Sequence, residues 1–282
     1  MANAGERGIE RKIVVEIATA GNAHLESAAI QSQLMTKLSV NVNKIATLRN
    51  TRALAIPNVV RLSRIALEAG AAGITVHPRP DERHIRRGDV DDMAALLRDY
   101  PDAEFNIEGN PYHGLIEHCH RTRPTQATLV PDAAGQSTSD HGWPLHTMDD
   151  EELTKLRETI EHLSTIGCRV SLFVDPEPKA MAIAAEIGAD RVELYTEPYA
   201  SAFAMGNEKT AWTYAEAAWA AHAAGLGINA GHDLNLDNLG TFLKEVKNVD
   251  EVSIGHALIA DALEFGLAET VRRYAAICQG DR

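Results

Sequence analysis

The chain has 282 residues, 45% of them hydrophobic and 24% charged, the composition of a soluble globular protein with room for one large core. Its 40 acidic side chains outnumber 27 basic ones, for a net charge of -13, which excludes generic binding to nucleic acid or an anionic membrane. Three cysteines, Cys119, Cys168 and Cys278, lack CxxC spacing; they exclude a disulfide framework and suit a reducing cytoplasm.

Residues 1–34 mix Gly, Ala and Ser with scattered charge and show only patchy periodicity. They are expected to form an N-terminal extension, peripheral or partly disordered, with Met35 as an alternative start just before the first convincing strand. The run "IVVEIATAG" is interrupted by Glu16 and lacks the apolar length and cleavage pattern of a secretory signal. No run approaches the roughly 18 apolar residues of a membrane span.

From Leu38 one pattern recurs: a short β-branched or apolar run, a polar cluster, an amphipathic helix, then Gly before the next run. The runs are "LSVNV" (38–42), "GITVH" (73–77), "EFNIE" (104–108), "QATLV" (126–130), "RVSLFV" (169–174), "RVELY" (191–195), "GINAG" (227–231) and "EVSIG" (251–255). Between and after them the periodicity predicts helices near 57–69, 89–99, 113–122, 149–166, 177–187, 208–224, 236–247 and 267–278. Gly70, Gly167, Gly188 and Gly225 stand where helices should end, because Gly accepts the left-handed cap conformation at little cost. Eight alternating units argue a parallel sheet closed into a (β/α)8 TIM barrel over residues 35–282, a single α/β domain behind the extension. A doubly wound open sheet is the alternative, weakened because no GxGxxG follows the first strand. Two long connections, 131–148 and 196–207, read as functional loops at one end of the barrel.

Catalytic groups of such a barrel come from the C-terminal strand ends. Those ends carry Asn41, Asn43 and Lys44, then His77 and Arg79, Glu108, Glu193, Asn229 and His232, and His256. Packing does not account for so many ionisable groups in one volume, since even an unpaired neutral polar group costs roughly 2–7 kcal/mol to bury and a charge costs more. Arg79, Arg83 and His84 in one loop suit a phosphate, both residue types being able to carry positive charge. Glu108 closes an apolar run, a natural place for a general base. Glu193 lies between Val192 and Leu194 and so faces away from them; inside the barrel it needs a partner, for which Arg191 and His232 are candidates. "INAGHDL" and "SIGHALI" end the last two strands alike, with small residues that let backbone N–H groups approach an anion. The "HCH" of His118 to His120 falls on a helix, where i and i+2 do not share a face, so no metal site is read there.

The ordered segments "SVNVNKIATLRNTR", "AGAAGITVHPRPDERHI", "FNIEGN", "LVPD", "VSLFVD", "INAGHDL" and "IGHALIADAL" resemble the strand-end motifs of the pyridoxine 5'-phosphate synthase family, from about Thr36 to Ile277. The resemblance implies a (β/α)8 barrel that condenses 1-deoxy-D-xylulose 5-phosphate with 3-amino-2-oxopropyl phosphate, releasing water and inorganic phosphate. It implies no metal and no organic cofactor, and a homo-oligomer built of dimers into an octamer; the cytoplasmic location expected of the chain rests on its cysteines. It implies further that His77 and Glu108 accept protons, that His232 donates one and that Glu193 stabilises cationic or enediol-like transition states. Arg79, His84 and Thr138 would hold the deoxyxylulose phosphate, and Asn41, Arg52, Asp233, Gly255 and His256 the amino-ketone phosphate. This chain has Asn43 and Lys44 where many members have Asp-His, and Asp233 where Gly is common. Asn43 and Lys44 are carried as substrate-binding positions; Asp233 would repel a phosphate unless its carboxylate turns away.

Two other readings remain open. A metal-dependent barrel aldolase or isomerase would use His77, Glu108, Glu193, His232 and His256 as ligands. A non-catalytic phosphate-sugar binding barrel would have lost its chemistry through the Asn43-Lys44 change.

Overall fold

The computed structural model describes residues 35–136 and 138–280; the extension expected over residues 1–34 lies outside the described residues. Eight parallel strands, β1 (Lys37–Asn41), β2 (Gly73–Val76), β3 (Glu104–Gly109), β4 (Gln126–Leu129), β5 (Arg169–Val174), β6 (Arg191–Tyr195), β7 (Gly227–Gly231) and β8 (Glu251–Ile254), close in sequence order. β8 pairs back onto β1 through Leu38↔Val252 and Val40↔Ile254, so the sheet has no free edge. The strand bounds agree with those read from the sequence to within a residue.

The helices are α1 (Asn43–Asn50), α2 (Val59–Glu68), α3 (Arg87–Leu97), α4 (Ile116–Thr122), α5 (Asp150–Thr165), α6 (Pro178–Glu186), α7 (Glu197–Ala204), α8 (Ala211–Ala223), α9 (Leu239–Glu245), α10 (His256–Phe265) and α11 (Leu267–Cys278). Gly70, Gly167, Gly188 and Gly225 follow helix ends at φ of 108°, 91°, 90° and 83°, as their placement predicted. α1, α7 and α10 depart from the expected pattern. The span 196–207 is not an open loop but mostly α7. Pro198 marks its first turn, where a missing N–H costs nothing, and Gly206 follows it at φ 79°.

The strands alternate strictly. Leu38 and Val40, Ile74 and Val76, and Val192 and Leu194 join the main hydrophobic cluster, which they share with the helix side chains. The intervening residues fill the barrel with polar groups rather than the branched aliphatics usual there. Ser39, Thr75, Asn106 and Thr128 are linked by hydrogen bonds of 2.7, 3.4 and 3.1 Å from β1 across to β4. Deeper, Glu104 pairs with Lys37 at 2.6 Å and with Arg169, while Asn229 bridges Arg191 at 2.8 Å and Glu251 at 3.4 Å. A polar lining of this kind solvates ionisable groups at the mouth that a dry aliphatic core would reject.

The connection 131–148 has two regimes. Trp143 and Leu145 are buried, the Trp143 indole donating to the Leu129 carbonyl at 2.9 Å, and a Cβ on Gly142 would fall 2.3 Å from the Val174 backbone. Only the part before this anchor reaches over the barrel mouth, where Arg83 donates to the carbonyls of Gln136 and Ala134 at 2.9 and 3.5 Å.

Candidate active site

A cavity of about 480 Å³ opens at the C-terminal ends of the strands. The site residues singled out from the sequence line it except Arg52, exposed beyond the end of α1, Asn229, which pairs deeper in the barrel with Arg191 and Glu251, and Arg83, which is bonded to the loop carbonyl of Gln136.

His77 follows β2, buried between two carboxylates. Its Nδ1 stands 3.7 Å from Glu108 Oε2 and its Nε2 3.8 Å from Asp132 Oδ2, just beyond hydrogen-bond range. The backbone fixes this placement: the His77 N–H donates to Asn43 Oδ1 at 2.9 Å, and the Asn43 N–H donates to Asn41 Oδ1 at 3.1 Å. The other end of the Asn41 amide donates to Glu108 Oε2 at 3.3 Å, and Ser253 donates to Glu108 Oε1 at 3.3 Å. Asn41 and Asn43 therefore act on the acid-base pair itself, holding it in register.

Asp132 is the group sequence reasoning passed over. It stands just after β4 in the quoted "LVPD", so the strand-end rule that selected His77 and Glu108 also reaches it. Its Oδ2 accepts from Arg79 Nη2 at 2.5 Å and from Ser139 Oγ at 2.8 Å, while its buried Oδ1 has no partner among the described residues. Arg79 is thus oriented by a carboxylate and keeps its remaining donors for the cavity.

His84 corrects one expectation. Its Nδ1 accepts the Ile85 N–H at 2.9 Å, so a neutral ring carries its proton on Nε2. Burial, followed by the charges of His77, Arg79, Lys44 and Arg83, pushes the imidazole down to about 3. His84 therefore offers an anion one neutral N–H, and the positive charge comes from Arg79 and Lys44. Lys44, in the first turn of α1, is exposed and within ion-pair distance of no carboxylate among the described residues.

Glu193 faces the barrel interior from β6, as the alternation required, yet neither Arg191 nor His232 pairs with it. Arg191 is spent on Asn229 at 2.8 Å, and Glu193 Oε2 is buried without a hydrogen-bond partner among the described residues. Burial first, then the charges of Glu108 and Glu251, hold its carboxyl well above the ordinary range, which favours the protonated form over the carboxylate. Gly231 is Gly because a Cβ there would lie 2.3 Å from Glu193 Oε1.

His232 and Asp233 follow β7 with φ of 85° and 66°. Thr138, on the part of the β4 loop that covers the mouth, lies 3.0 Å from His232 Nε2, which joins that loop to the opposite wall. Gly255 and His256 open α10 at the wall of the cavity, where a helix N-terminus leaves its first N–H groups without intrahelical partners, and Gly255 packs so closely on β1 that its Cβ would sit 3.1 Å from that of Asn41. Among the described residues no three His, Cys, Asp or Glu side chains converge as a metal site would need, and His118 and His120 flank a buried Cys119.

A closed parallel barrel with buried carboxylates and imidazoles converging at its C-terminal mouth defines a (β/α)8-barrel enzyme equipped for acid-base chemistry. Residues 38–280 match the family model described as pyridoxal phosphate biosynthesis protein PdxJ. The chain belongs to that family. It is 55% identical over 254 residues to a protein of Albidiferax ferrireducens named pyridoxine 5'-phosphate synthase, covering 88% of this chain and 99% of that one. A protein of the same name from Xanthomonas oryzae pv. oryzae is 55% identical over 257 residues, with coverages of 88% and 99%. Among solved structures, thiamine phosphate pyrophosphorylase from Pyrococcus furiosus superposes with a TM-score of 0.55 at 15% identity, covering 89% of this chain and 98% of that one. Tryptophan synthase from M. tuberculosis gives 0.58 at 12%, covering 89% and 95%. These two likenesses concern the fold alone.

Proposed function

We propose that this chain is a pyridoxine 5'-phosphate synthase, condensing 1-deoxy-D-xylulose 5-phosphate with 3-amino-2-oxopropyl phosphate to pyridoxine 5'-phosphate, inorganic phosphate and water. The observation that carries the reading is the convergence of His77, Glu108, Glu193 and His232 on one cavity in a chain 55% identical to relatives of that name. Imine formation, dehydration, phosphate loss and ring closure each move protons at different atoms, and several fixed acid-base groups serve this better than one.

His77 and Glu108 take protons from carbon or nitrogen, the His77 backbone held by Asn43 and the Glu108 carboxylate by Asn41 and Ser253. Glu193 begins as the neutral acid, which suits it to donate a hydrogen bond to an enediol-like oxygen; as a cationic intermediate forms beside it, the carboxylate form becomes the stable one. His232 donates to a leaving oxygen. Arg79, His84 and Thr138 bind one phosphate, and Lys44, Gly255 and His256 the other, using a guanidinium, a neutral imidazole, an ammonium and helix N–H groups. Asn41 joins this set through Glu108, and Arg52 would enter it only by movement of the segment after α1.

The same reading takes residues 35–282 as the catalytic domain, a transferase of the cytoplasm that works as a homo-oligomer, and residues 1–34 as an extension to it. Free, buried Cys119, Cys168 and Cys278 are in keeping with that compartment. The test is to mix the purified protein with both phosphorylated substrates and follow pyridoxine phosphate and inorganic phosphate together. Stoichiometric appearance of both is expected; product in neither channel overturns the assignment. Activity lost to chelation and restored by a divalent metal would favour the aldolase or isomerase reading instead.

A further inference from the structure

We propose that Asp233 is a positioning residue for His232, its carboxylate holding the imidazole in the tautomer that carries the proton on Nδ1. The inference rests on His232 being the proton donor of the proposed reaction. Asp233 Oδ2 lies 3.2 Å from His232 Nδ1, the one carboxylate within ion-pair reach of this ring among the described residues. Nδ1 is buried and makes no aligned hydrogen bond among the described residues, so Asp233 Oδ2 is the acceptor within reach of an Nδ1–H. On the far side of the ring, Nε2 meets Thr138 Oγ1 at 3.0 Å and faces the cavity. An Nδ1–H tautomer satisfies both edges at once: Nδ1–H donates to Asp233, and Nε2 accepts from the Thr138 hydroxyl.

The turn that produces this pairing is held against its own preference. Two successive non-glycine residues stand at φ of 85° and 66°, a left-handed conformation that L side chains disfavour. Hydrogen bonds from other elements enforce it: the single Thr196 hydroxyl proton is shared between the carbonyls of Gly231 and His232, 2.7 and 2.6 Å from Oγ1, and Asn238 Nδ2 donates to that of Asp233 at 3.3 Å. The edge of Tyr195 packs on the imidazole with ring centroids 5.2 Å apart. Glycine would adopt the same turn without strain, so the carboxylate is the reason to carry aspartate there. It also answers the repulsion expected of Asp233 toward a phosphate, because the side chain is engaged with His232 and the backbone N–H is left for the anion.

The ionisable groups around the pair are Tyr195 and Glu193 of β6, Lys44 of α1 and His256 of α10. The contact with His232, then the charges of His256 and Lys44, hold the Asp233 carboxyl below its usual range, so it is an anion throughout the working pH. When His232 is protonated, both edges donate: Nδ1–H to Asp233 and Nε2–H to the departing oxygen. As that C–O bond breaks and its electron pair goes to oxygen, the Nε2 proton follows. Neutral imidazole remains with its proton on Nδ1, and solvent restores the Nε2 proton.

The test uses the full-length protein labelled with 15N-histidine, the His232 signals being assigned by their loss in His232→Gln. In the unaltered protein the 15N shifts should report the Nδ1–H tautomer. In Asp233→Gly, which the turn accepts without strain, they should revert to the Nε2–H form that free histidine prefers, with kcat falling about 10- to 100-fold and KM for either substrate changing less than about threefold. Asp233→Asn keeps an acceptor for Nδ1–H, so the tautomer should persist and kcat should fall less than in Asp233→Gly. An Nε2–H tautomer in the unaltered protein, or Asp233→Gly with unchanged kcat and a lowered KM, overturns the proposal and makes Asp233 only a neighbour of the anion. The 15N readout does not require turnover. Absence of product would therefore condemn the synthase reading while leaving the tautomer result to decide this one.

Discussion

Arg79 donates to Asp132 at 2.5 Å in an ion pair whose side chains are 5% and 2% exposed, across 53 residues of sequence. Each charge is costly to bury alone, and the cavity gives the guanidinium a second anion only when one binds. Asp132→Asn should therefore destabilise the protein by about 3–5 kcal/mol, read from the denaturation midpoint. Millimolar inorganic phosphate should restore more stability to this variant than to the unaltered protein, because the anion replaces the missing carboxylate. Equal stabilisation of both would show that Arg79 is not an anion site.

Burial raises the Glu193 carboxyl well above its ordinary range and favours the neutral acid, which Glu193→Gln matches in charge and shape. Stability should stay within about 1 kcal/mol of the parent, while turnover drops by about two to three orders of magnitude because an amide cannot ionise. A large gain in stability at pH 7 would mean that the native carboxyl is charged at rest.

The depressed His84 imidazole makes a pH prediction with a definite sign. Its folded value of about 3 lies below the usual 6.5, so the neutral ring's contribution to stability is present above pH 6.5 and is lost as the pH falls toward 3. His84→Asn, which cannot charge, should flatten the stability profile between pH 6.5 and 4. KM for the phosphorylated substrates should depend on pH equally in both proteins from pH 5 to 8, since His84 does not titrate there. A steeper KM rise in the native enzyme over that range would contradict the neutral assignment.

At the other end of the barrel, burial and then the charge of Glu104 raise Glu251 to about 7 from an ordinary 4.5. A carboxyl raised on folding favours the native state while protonated, so stability falls as pH rises from about 4.5 through 7. Glu251→Gln should remove that fall, a difference on the order of 2–3 kcal/mol between pH 5 and pH 8 in denaturant titrations at fixed protein concentration. Parallel profiles for the two proteins would show that Glu251 is charged throughout.

The strands were legible in the sequence because their information is local. A period of 2 in "RVELY" and "RVSLFV", glycines at the helix ends and the alternation of units determine a closed barrel, and the closed barrel in turn determines that His77, Glu108 and His232 share a mouth. α7 was hidden because Pro198 and Gly206 mark a loop as readily as the two ends of a short helix. What only the tertiary structure decided is who pairs with whom and in which charge state. Asp132 reaches Arg79, Asn41 reaches Glu108, and Asp233 turns onto His232, while Glu193 finds neither partner the sequence suggested. These depend on burial and on approaches between distant strands, and protonation follows from both, since the cost of a charge is set by the groups and solvent around it rather than by its neighbours along the chain.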